Sequence, residues 1–593
     1  MSFFLSDYAI AVKPRIFDLN RLITRIATMF KIFSATLLSC AFALATCFAP
    51  TASAQIVVAG GFDYACALVK TEGTVKCWGS ASSSGAGPAA TSQANSPRDT
   101  VNLAGIVAIA GGQQHACALR NDGVVLCWGD NLYSQLGDPA SSAVRTVKTP
   151  QPVVGLGGPV LAVFAGPGGD HTCAITASLS AKCWGRNRSG NLGNGAFTSN
   201  PVPQEVPGLG AVSGMAIGID HTCAVTFAGA VLCWGDNGYG QLGDGSTSAR
   251  LVPTAVVGLA SGVADIVAGS HHTCALLNNG GVKCWGRGSS GALGRGGATD
   301  ASNPNSKVPV DVLTLVSGAT SIVAGDAFNC VTLVAGGVRC WGKRPAGGGD
   351  GVQWTSSADL YQPTPVNVIG LSGPVVSIGS GFRYVCAVVT SGLVECWGDR
   401  PIDGGGGAID ARANAHLSGL NIDTRLVMAE YRHGSLDYFF MTSRYVEKLL
   451  FKALVPEFQP TGKSFFVFPT GLVAGTQPIT RYYFDKVAKA DSRGSHFYTL
   501  VDAERAVLNG LNPSNSSAPK LPYNEGVDSF AFAPAVEGIG GSCAAGQVPL
   551  YRAFRGARFP DDPNHRFTTD LALYNSLVTA GWDGEGVKMC APQ

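Results

Sequence analysis

One stretch decides the fold of this chain: HTCAVTFAGAVLCWGDNGYGQLG, residues 221–243. Its two cysteines, Cys223 and Cys233, lie ten residues apart, and Trp234 and Gly235 follow the second at once. The arrangement occurs seven times, and successive first cysteines lie 50 to 56 residues apart. A fixed period of this length predicts an array of repeated supersecondary units instead of several unrelated domains.

The seven cysteine pairs share one spacing, apart from an extra residue in the first: Cys66 with Cys77, Cys117 with Cys127, Cys173 with Cys183, Cys223 with Cys233, Cys274 with Cys284, Cys330 with Cys340 and Cys386 with Cys396. A tryptophan follows every second cysteine, at Trp78, Trp128, Trp184, Trp234, Trp285, Trp341 and Trp397. These tryptophans are predicted to be structural residues of the repeat, because such regular placement is typical of a packing position.

Each unit reads as about four short strands. Apolar residues around the first cysteine form one strand, a turn such as Asp122-Gly123 follows, and the second cysteine lies on the next strand. Asp-Gly is typical of a two-residue hairpin in which both turn residues have φ > 0. Residues 253–259 and 265–269 read as further β segments. Four strands per unit is the content of a propeller blade, and a closed ring of seven blades removes exposed sheet edges.

The spacing also places the cysteines of each hairpin opposite one another. The midpoint of Cys117 and Cys127 is Asp122, in the predicted turn. Opposed Cβ atoms lie about 4.5–5.5 Å apart, which a disulfide bridges with little adjustment. The chain has no C-x-x-C pair, which argues against zinc. Because a residue next to a cysteine points to the other face of the strand, each tryptophan is predicted to pack on a neighbouring unit.

Composition and the N-terminus indicate an exported β protein. Glycine accounts for 78 of 593 residues, charged residues for 14%, and the formal net charge is +2, so the total charge does not indicate binding to nucleic acid or to an anionic membrane. Residues 1–54 read as a signal segment with an A-x-A cleavage site at 52–54, and Met29 is an alternative start. A lipobox-like motif ending at Cys40 is the rival interpretation. No stable membrane span is predicted, and the sixteen cysteines after residue 54 favour complete pairing.

The run V-x-x-I-x-A-G-x-x-H-T-C-A-L, continued by G-x-V-x-C-W-G-x-N-x-x-G-Q-L-G, resembles the repeat of the regulator of chromosome condensation (RCC1-like) family. The resemblance covers residues 55–420 and implies a seven-bladed β-propeller, although copies one, six and seven lack G-Q-L-G. The paired cysteines depart from the intracellular repeats, as expected for a propeller adapted to export. Nucleotide exchange on the nuclear GTPase Ran, the founding member's activity, is not expected, because a repeat match identifies a scaffold.

Two groups of polar residues raise the question of a metal. A histidine recurs two residues before a first cysteine, at His115, His171, His221 and His272. A circle of metal-binding imidazoles is one interpretation; the preferred one is a blade residue that hydrogen-bonds a neighbouring loop, as the family repeat implies. Asp236, Asn237 and Asp244 lack the order of a calcium loop and are interpreted as a blade-to-blade connection. No metal, cofactor or catalytic residue is therefore predicted.

Beyond a Gly-rich linker that begins at 404–407, residues 421–593 contain three imperfect copies of a second unit, each read as strand, strand, short helix, strand. They resemble a bacterial exported domain of unknown function with the hallmark Y-R-F-Y, H-F-Y-T and E-G-x-x-F. His496 and His565 match its histidine, but the first copy has Tyr438 there. A packing or hydrogen-bonding role is therefore predicted, with a carbohydrate-stacking platform as the alternative. Cys543 and Cys590 are predicted to bridge the third copy.

The chain lacks a G-x-S-x-G elbow, an H-E-x-x-H motif and a Walker loop, so no enzymatic activity is predicted. The leading hypothesis is a secreted, periplasmic or surface-located scaffold that binds a protein or a cell-surface or cell-wall component. Variable inserts at 80–97, 139–150, 295–309 and 343–363 fit a recognition surface, as does unselected drift of loop length. The alternatives are an enzyme inhibitor of the β-lactamase-inhibitor type and a wall- or polysaccharide-associated hydrolase.

Overall fold

The computed structural model of the 593-residue chain describes its propeller part at residues 58–69, 73–80, 94–296, 304–343 and 361–398. Beyond it, the structure describes 415–421, 426–433, 438–442, 458–467, 476–484, 495–499, 523–532, 534, 541–545, 547–554 and 565–592. Of these residues, only the backbone is described at 94–96, at those between 415 and 530, and at 532 and 592. The predicted signal segment at 1–54 and the linker at 404–407 lie outside the described residues.

Seven four-stranded antiparallel sheets, blades 1 to 7, follow one another along the chain. Blades 1 to 4 comprise β1 (Val58–Gly60), β2 (Tyr64–Val69), β3 (Thr74–Gly79), β4 (Ala94–Asp99); β5 (Ile106–Gly111), β6 (His115–Arg120), β7 (Val125–Asp130), β8 (Thr146–Pro152); β9 (Val160–Ala165), β10 (His171–Thr176), β11 (Ala181–Gly185), β12 (Asn200–Glu205); β13 (Val212–Ile217), β14 (His221–Thr226), β15 (Val231–Gly235) and β16 (Arg250–Ala255). Blades 5 to 7 comprise β17 (Val263–Ala268), β18 (His272–Leu277), β19 (Val282–Gly286), β20 (Ser306–Asp311); β21 (Ala319–Ala324), β22 (Phe328–Leu333), β23 (Val338–Lys343), β24 (Tyr361–Asn367); β25 (Val375–Ser380), β26 (Tyr384–Val389), β27 (Leu393–Gly398) and β28 (Ala415–Asn421).

Each blade is a meander of four consecutive strands, and the first strands of neighbouring blades contact one another all the way round, so they line the centre of the ring. The prediction of a mainly β, seven-bladed propeller is confirmed. The ring closes without exchanging a strand between its ends. Instead, blade 7 packs against blade 1: the Phe382 amide donates to the Gly61 carbonyl at 2.9 Å, and the Tyr384 hydroxyl donates to the Tyr64 carbonyl.

The two cysteines of each blade face each other across the second and third strands, in the antiparallel register. A disulfide joins each facing pair, with Cα atoms 4.0–4.1 Å apart. This separation fits the more closely spaced type of antiparallel pair, so the bond closes without bending the hairpin. The bonded pairs, from blade 1 to blade 7, are Cys66 with Cys77, Cys117 with Cys127, Cys173 with Cys183, Cys223 with Cys233, Cys274 with Cys284, Cys330 with Cys340 and Cys386 with Cys396.

The hairpin turn differs from the sequence prediction. In blade 2 the Gly123 amide donates to the Arg120 carbonyl, and the Arg120 amide donates to the Val124 carbonyl, both at 2.9 Å, so the loop has three residues. Only Gly123 has positive φ, at 86°, and the two-residue turn predicted for Asp122-Gly123 is wrong. The odd loop length is the reason, since a type I turn closed by a left-handed glycine joins the strands over three residues.

Six of the seven tryptophans pack on the disulfide of the preceding blade. Trp285 of blade 5 lies in one buried cluster with Cys223 and Cys233 of blade 4. Trp128, Trp184, Trp341, Trp397 and Trp78 do the same against blades 1, 2, 5, 6 and 7. All seven indoles are at most 3% exposed. Because Trp78 covers the blade 7 disulfide, the same contact that joins consecutive blades also closes the ring.

The glycine after each tryptophan has a steric cause. Its φ lies between 95° and 109° in all seven blades, a conformation that favours glycine. A Cβ on Gly235 would also lie 2.4 Å from the Asp220 carbonyl oxygen of the same blade. The Trp-Gly pair of the repeat therefore combines a packing residue with a position that no side chain fits.

The C-terminal part contains three units of identical strand order. The first comprises β29 (Leu426–His433), β30 (Tyr438–Thr442) and β31 (Phe458–Val467); the second β32 (Thr476–Phe484), β33 (Ser495–Thr499) and β34 (Tyr523–Phe532); the third β35 (Gln547–Phe554), β36 (His565–Thr568), the helix α1 (Leu571–Thr579) and β37 (Asp583–Pro592). In each, the first strand lies between the second and third, and β34 pairs with β37 to join the last two units into one sheet. The third copy has the order strand, strand, helix, strand that the sequence indicates. No helix in the described parts of the chain is long and apolar enough to cross a membrane.

We predict that the sixteen cysteines from Cys66 to Cys590 contain no free thiol. Thiol titration of the unreduced mature protein in denaturant is expected to give zero, whereas Cys223→Ala alone exposes one thiol, that of Cys233. The double variant that combines Cys223→Ala with Cys233→Ala is expected to lose about 2–3 kcal/mol of unfolding free energy, because a short loop is no longer closed in the unfolded chain. Several reactive thiols in the wild type would contradict the pairing.

Candidate functional site

The recurring histidines connect each blade to the next. His221 Nε2 of blade 4 lies 3.0 Å from the Thr273 hydroxyl of blade 5, and that hydroxyl donates to the Gln241 carbonyl of blade 4 at 2.9 Å. Because the single hydroxyl proton goes to the carbonyl, the imidazole donates through Nε2. The contacts repeat as His115–Thr172, His171–Thr222 and His272–Asn329, at 2.8–2.9 Å. Each histidine side chain therefore hydrogen-bonds a Thr or Asn side chain of the next blade. That side chain in turn hydrogen-bonds a loop carbonyl of the blade that carries the histidine.

The same loop carbonyl accepts a second donor in three junctions. Trp184 Nε1 donates to the Gln135 carbonyl at 2.9 Å, Trp234 Nε1 to Asn191 at 3.0 Å and Trp341 Nε1 to Ala292 at 3.1 Å. These acceptors immediately precede Leu136, Leu192 and Leu293, which are at most 1% exposed. The loop with the Leu-Gly pair thus inserts a leucine between blades, and the residue before that leucine offers its carbonyl to the next blade.

The remaining junctions replace this polar pair with an apolar or aromatic one. Phe328 occupies the histidine position of blade 6, and Val385 faces it from blade 7 in a shared core cluster. Tyr384 faces Ala65, and Tyr64 faces Ala116. A ring that donates a hydrogen bond therefore meets Thr or Asn, a phenyl ring meets Val, and the longer tyrosine meets Ala. This complementarity explains why the position tolerates three residue types.

Burial keeps these histidines neutral. The imidazoles are at most 1% exposed, and desolvation lowers the pKa of His115 and His221 to about 3 and that of His171 and His272 to about 4. Each Nε2 is already committed to a hydroxyl or amide oxygen. The described residues contain no group of three or more His, Cys, Asp or Glu side chains that could hold a metal ion. The geometry therefore supports a structural role for the histidines.

The acidic loop of blade 4 is also held internally. The Gln241 amide donates to Asp236 at 2.6 Å, and Asn237 Nδ2 donates to the Ser248 carbonyl at 3.0 Å while its Oδ1 accepts from the Leu242 amide. Asp244 pairs with Arg250 at 2.8 Å. These contacts account for the Asn and Gln of the W-G-x-N-x-x-G-Q-L-G string as residues that fix the loop.

Polar and aromatic side chains remain available where the first and second strands of each blade meet. Backbone bonds link these turns round the ring: the Phe62 amide donates to Gln113, the Ser270 amide to Asp326 and the Asp326 amide to Phe382, at 2.8–3.0 Å. Because the first strands are innermost, the turns surround one end of the central channel. We call this end, formed by residues 61–63, 112–114, 167–170, 218–220, 269–271, 325–327 and 381–383, the channel mouth.

Two phenylalanines lie at the channel mouth. The rings of Phe62 and Phe382 are 5.0 Å apart between centroids, and Phe62 is 42% exposed. A Cβ on Gly168 of blade 3 would lie 3.0 Å from Cε2 of Phe382 of blade 7 and 3.0 Å from Cγ1 of Ile219. Phe382 therefore reaches across to a blade that is not its neighbour, and an apolar centre occupies the mouth.

Charged residues surround this centre. The residue after Trp-Gly alternates in sign through Asp130, Arg186, Asp236 and Arg287 in blades 2 to 5. Arg186 pairs with Asp170 at 3.1 Å and lies over the Tyr133 ring at 4.8 Å.

Arg188 pairs with Asp220 at 2.7 Å and Lys343 with Asp326 at 3.4 Å. Burial, partly offset by Arg186, raises the pKa of Asp170 to about 6. Of the four carboxylates in the channel mouth, those of Asp170, Asp220 and Asp326 are thus paired with basic residues that lie next to it, and Asp63 is the fourth.

The variable inserts connect the third and fourth strands, which end at the channel-mouth side of each blade. Their predicted limits extend too far, because β4, β8, β20 and β24 contain residues assigned to them. Edge strands with proline read as loops in sequence, yet proline is compatible with an outermost strand. Residues 81–93, 297–303 and 344–360 of the inserts lie outside the described residues.

In the third C-terminal copy the predicted residues have packing roles. The His565 ring stacks on Phe554 with centroids 4.4 Å apart, and Cys543 is bonded to Cys590 with Cα atoms 5.8 Å apart. Buried Arg552 pairs with Glu585, which explains the arginine and glutamate of the Y-R and E-G motifs. Phe567, Tyr574 and Trp582 are at most 9% exposed, so these aromatic side chains form a core instead of a stacking platform. The side chains of Tyr438 and His496 lie outside the described residues.

Sequence reasoning missed the residues of the channel mouth. Phe62 and Phe382 lie two residues before the aligned ring position, where the other copies have Gln113, Ile219 and Asp326, among others. When the seven copies are aligned on their cysteines, this variable position directly follows a glycine that is present in every copy, at Gly61, Gly112, Gly168, Gly218, Gly269, Gly325 and Gly381. Nothing in the sequence places the two phenylalanines together, because 320 residues separate the turns that carry them.

Comparisons with known proteins agree with the fold. Residues 45–305 match the family model of the RCC1-like domain, and residues 534–592 match a domain of unknown function (DUF5648). The chain is 29% identical over 244 residues to the human E3 ubiquitin-protein ligase HERC2, and 32% identical over 138 residues to the ultraviolet-B receptor UVR8 of Arabidopsis thaliana. These matches cover 40% and 22% of the chain, but only 5% and 29% of those proteins.

Among solved structures, the chain is similar to yeast RCC1 (Prp20) in its complex with Kap60, with a TM-score of 0.52 and 21% identity over 59% of this chain and 85% of that one. This likeness concerns the fold. The resemblance to RCC1-like repeats drawn from the sequence is confirmed.

We predict that the pair His221 and Thr273 behaves as one unit. Thr273→Val leaves a buried imidazole N–H without an acceptor and is expected to cost about 1–3 kcal/mol of unfolding free energy. The double variant that combines His221→Phe with Thr273→Val recreates the Phe328–Val385 pair of blade 6 and is expected to recover most of that loss. A double-mutant cycle from urea denaturation measures the coupling. Additive single effects would contradict the proposed contact.

We also predict that His221 makes the protein sensitive to acid. Its pKa is lowered to about 3 from an ordinary 6.5, so the unfolded chain binds the proton more readily and stability falls as pH drops below about 6.5. At pH 5.5 the loss is about 1.4 kcal/mol for this imidazole. Burial raises the pKa of Asp170 and Asp265 to about 6, which acts in the opposite direction.

Comparing the wild type with His221→Phe at pH 7.5 and 5.5 cancels the contribution of the aspartates. The variant is expected to lose less stability than the wild type between the two pH values. Parallel losses in urea denaturation would show that His221 is not kept neutral by burial.

Proposed function

We propose that this chain, an RCC1-like propeller with three appended C-terminal units, is an exported scaffold that binds a protein or a cell-surface component at its channel mouth. It has no catalytic activity of its own in this proposal. The observation that carries the proposal is the exposed Phe62 beside Phe382 at the centre of the mouth. An aromatic centre ringed by arginine and partnered carboxylates is typical of a protein-binding surface.

Export is supported by the disulfides. All sixteen cysteines from Cys66 onward are paired, seven pairs within blades and one within the third C-terminal copy. Disulfides on this scale persist in oxidising compartments and are rare in reducing ones. With the signal-like residues 1–54, this favours a secreted, periplasmic or surface location.

A binding role is also supported by the difference between the constant and the variable residues of the repeat. The recurring cysteines form disulfides within the blades, and the recurring tryptophans and histidines contact the adjoining blade. What varies from blade to blade is the turn at the channel mouth, where Phe62, Gln113, Ile219, Ser270, Asp326 and Phe382 occupy equivalent places. A rigid frame that presents a variable surface is suited to recognition.

The comparisons support the same class of function and no more. The similar yeast RCC1 structure is a complex with the protein Kap60. The ligase activity named for HERC2 belongs to a protein of which this chain spans 5%. We therefore propose protein binding as the shared property and carry over neither ligase activity nor nucleotide exchange.

Site-specific photocrosslinking tests the proposal. A photoreactive phenylalanine analogue replaces Phe62 in one mature protein and Val334 in a matched control, since Val334 is 70% exposed in a turn at the other end of the blades. Illumination with medium and envelope fractions of the source cells is expected to give a discrete adduct from position 62 alone. Equal adducts at both positions, or turnover of peptidoglycan or polysaccharide by the purified protein, would overturn it. A stoichiometric adduct with one soluble enzyme would instead identify an inhibitor.

A further inference from the structure

One blade cysteine differs from the others in its exposure. Thirteen of the fourteen blade cysteines, Cys330 among them, are at most 2% exposed, whereas Cys340 of blade 6 is partly exposed. Cys340 pairs with Val366 of the outermost strand in the register in which Cys284 pairs with Val310 in blade 5. The backbone around the two cysteines is therefore equivalent, and the difference in exposure comes from the side chains that cover the disulfide.

A leucine of the Leu-Gly loop covers the disulfide in three other blades. Leu242 lies in one buried cluster with both cysteines of blade 4, and Leu136 and Leu293 do the same in blades 2 and 5. The three leucines are at most 1% exposed. The cluster around Cys330 draws its described members from the strands and from the connection to blade 7, and none of them takes the place of the loop leucine.

Two apolar neighbours of Cys340 are opened as well. Val368 and Leu371, in the connection from blade 6 to blade 7, occupy the places of Val312 and Leu315 one blade earlier. Val312 and Leu315 are at most 1% exposed, whereas Val368 and Leu371 are partly exposed. All three exposed side chains of blade 6 pack against the same core cluster. The disulfide of this blade is thus accessible at one of its two sulfur-bearing residues.

Access decides whether a disulfide reacts in the folded protein. Exchange requires an incoming thiolate to reach one of the two sulfur atoms. Where both cysteines are buried, the blade has to open locally before the thiolate arrives, which makes the reaction slow. At blade 6 the exposure of Cys340 removes that step, while its partner Cys330 remains covered.

From this difference we propose that the Cys330–Cys340 disulfide is the site in the propeller at which a small dithiol modifies the folded protein. One thiolate of the dithiol bonds to Cys340 Sγ, the bond to Cys330 breaks, and Cys330 Sγ leaves with the electron pair and takes up a proton. The second thiolate then attacks the sulfur of the dithiol in this mixed disulfide, and Cys340 Sγ leaves and is protonated. Blade 6 is reduced by two electrons to two thiols, and the dithiol is oxidised to its own disulfide.

The inference does not rest on the proposed binding function, because it concerns the covalent closure of one blade and not the channel mouth. In an exported chain it makes a single blade responsive to the thiols of the surroundings. The other six blades keep both cysteines buried and therefore keep their disulfides under the same conditions.

Timed reduction of the folded mature protein by dithiothreitol tests the inference. Samples are quenched with acid, alkylated, digested and analysed by mass spectrometry, which gives the thiol fraction at every cysteine. Cys330 and Cys340 are expected to become thiols about tenfold faster than any other blade pair, because direct attack replaces attack on an opened blade. Only the seven blade pairs are compared, since Cys543 of the C-terminal pair is also partly exposed.

Urea below the unfolding transition separates direct attack from local opening. Opening exposes surface, so urea accelerates any reaction that depends on it. The rate at blade 6 is expected to stay constant, whereas the rates of the buried pairs rise.

Leu293→Ala tests the cause of the difference. Removing the leucine that covers Cys274 and Cys284 is expected to bring the blade 5 pair close to the blade 6 rate, again without dependence on urea. Leu571→Ala is the matched control, because this leucine is 50% exposed on α1 and covers no blade disulfide. It is expected to leave all seven rates unchanged.

Reduction of all seven blade pairs at one rate would overturn the inference, as would a blade 6 rate that rises with urea as steeply as the others. A blade 5 pair that stays slow in Leu293→Ala would show that the loop leucine is not what protects a blade disulfide. None of these results affects the crosslink at position 62, so the inference and the proposed function fail separately.

Discussion

The contact between adjoining blades is the constraint on which the rest of the molecule depends. An indole from one blade covers the disulfide of the blade before it, and a ring from the earlier blade meets a matched side chain on the later one. No strand is shared across any junction, including the one that closes the ring, so side-chain packing and a few hydrogen bonds hold neighbouring sheets together. A propeller joined in this way needs the same contact at every junction, which accounts for the regularity of the repeat.

This constraint also shapes where function resides. The cysteines, tryptophans and histidines, which suggest a reactive site when the sequence is read alone, have structural roles in the blades. Packing also excludes charge from the blade faces, which fits a chain with only 14% charged residues. The turns at the channel mouth are free of that requirement. They carry Phe62 and Phe382 on a frame that the seven blade disulfides and the blade contacts hold in place, which suits the proposed binding role because little conformational entropy is left to lose.

Much of the fold was predictable because its causes are local. The opposition of Cys117 and Cys127 follows from hairpin spacing, and the position of each tryptophan on the face opposite its own blade's disulfide follows from the alternation of side chains along a strand. The turn type was not predictable, since Asp-Gly fits both a two-residue and a three-residue loop. The partner of each histidine was also hidden: Thr273 lies 52 residues after His221, and its role emerges only when two blades pack face to face.

By itself, the sequence determined the number of blades, the pairing of the cysteines and the face on which each tryptophan lies, because all three depend on period and alternation within one unit. Only the tertiary structure decided the pairing of His with Thr, Phe with Val and Tyr with Ala, and the meeting of Phe62 with Phe382 across 320 residues. Those contacts form only when the sheets close into a ring. The residues involved belong to different units, and no pattern within one unit predicts that they meet.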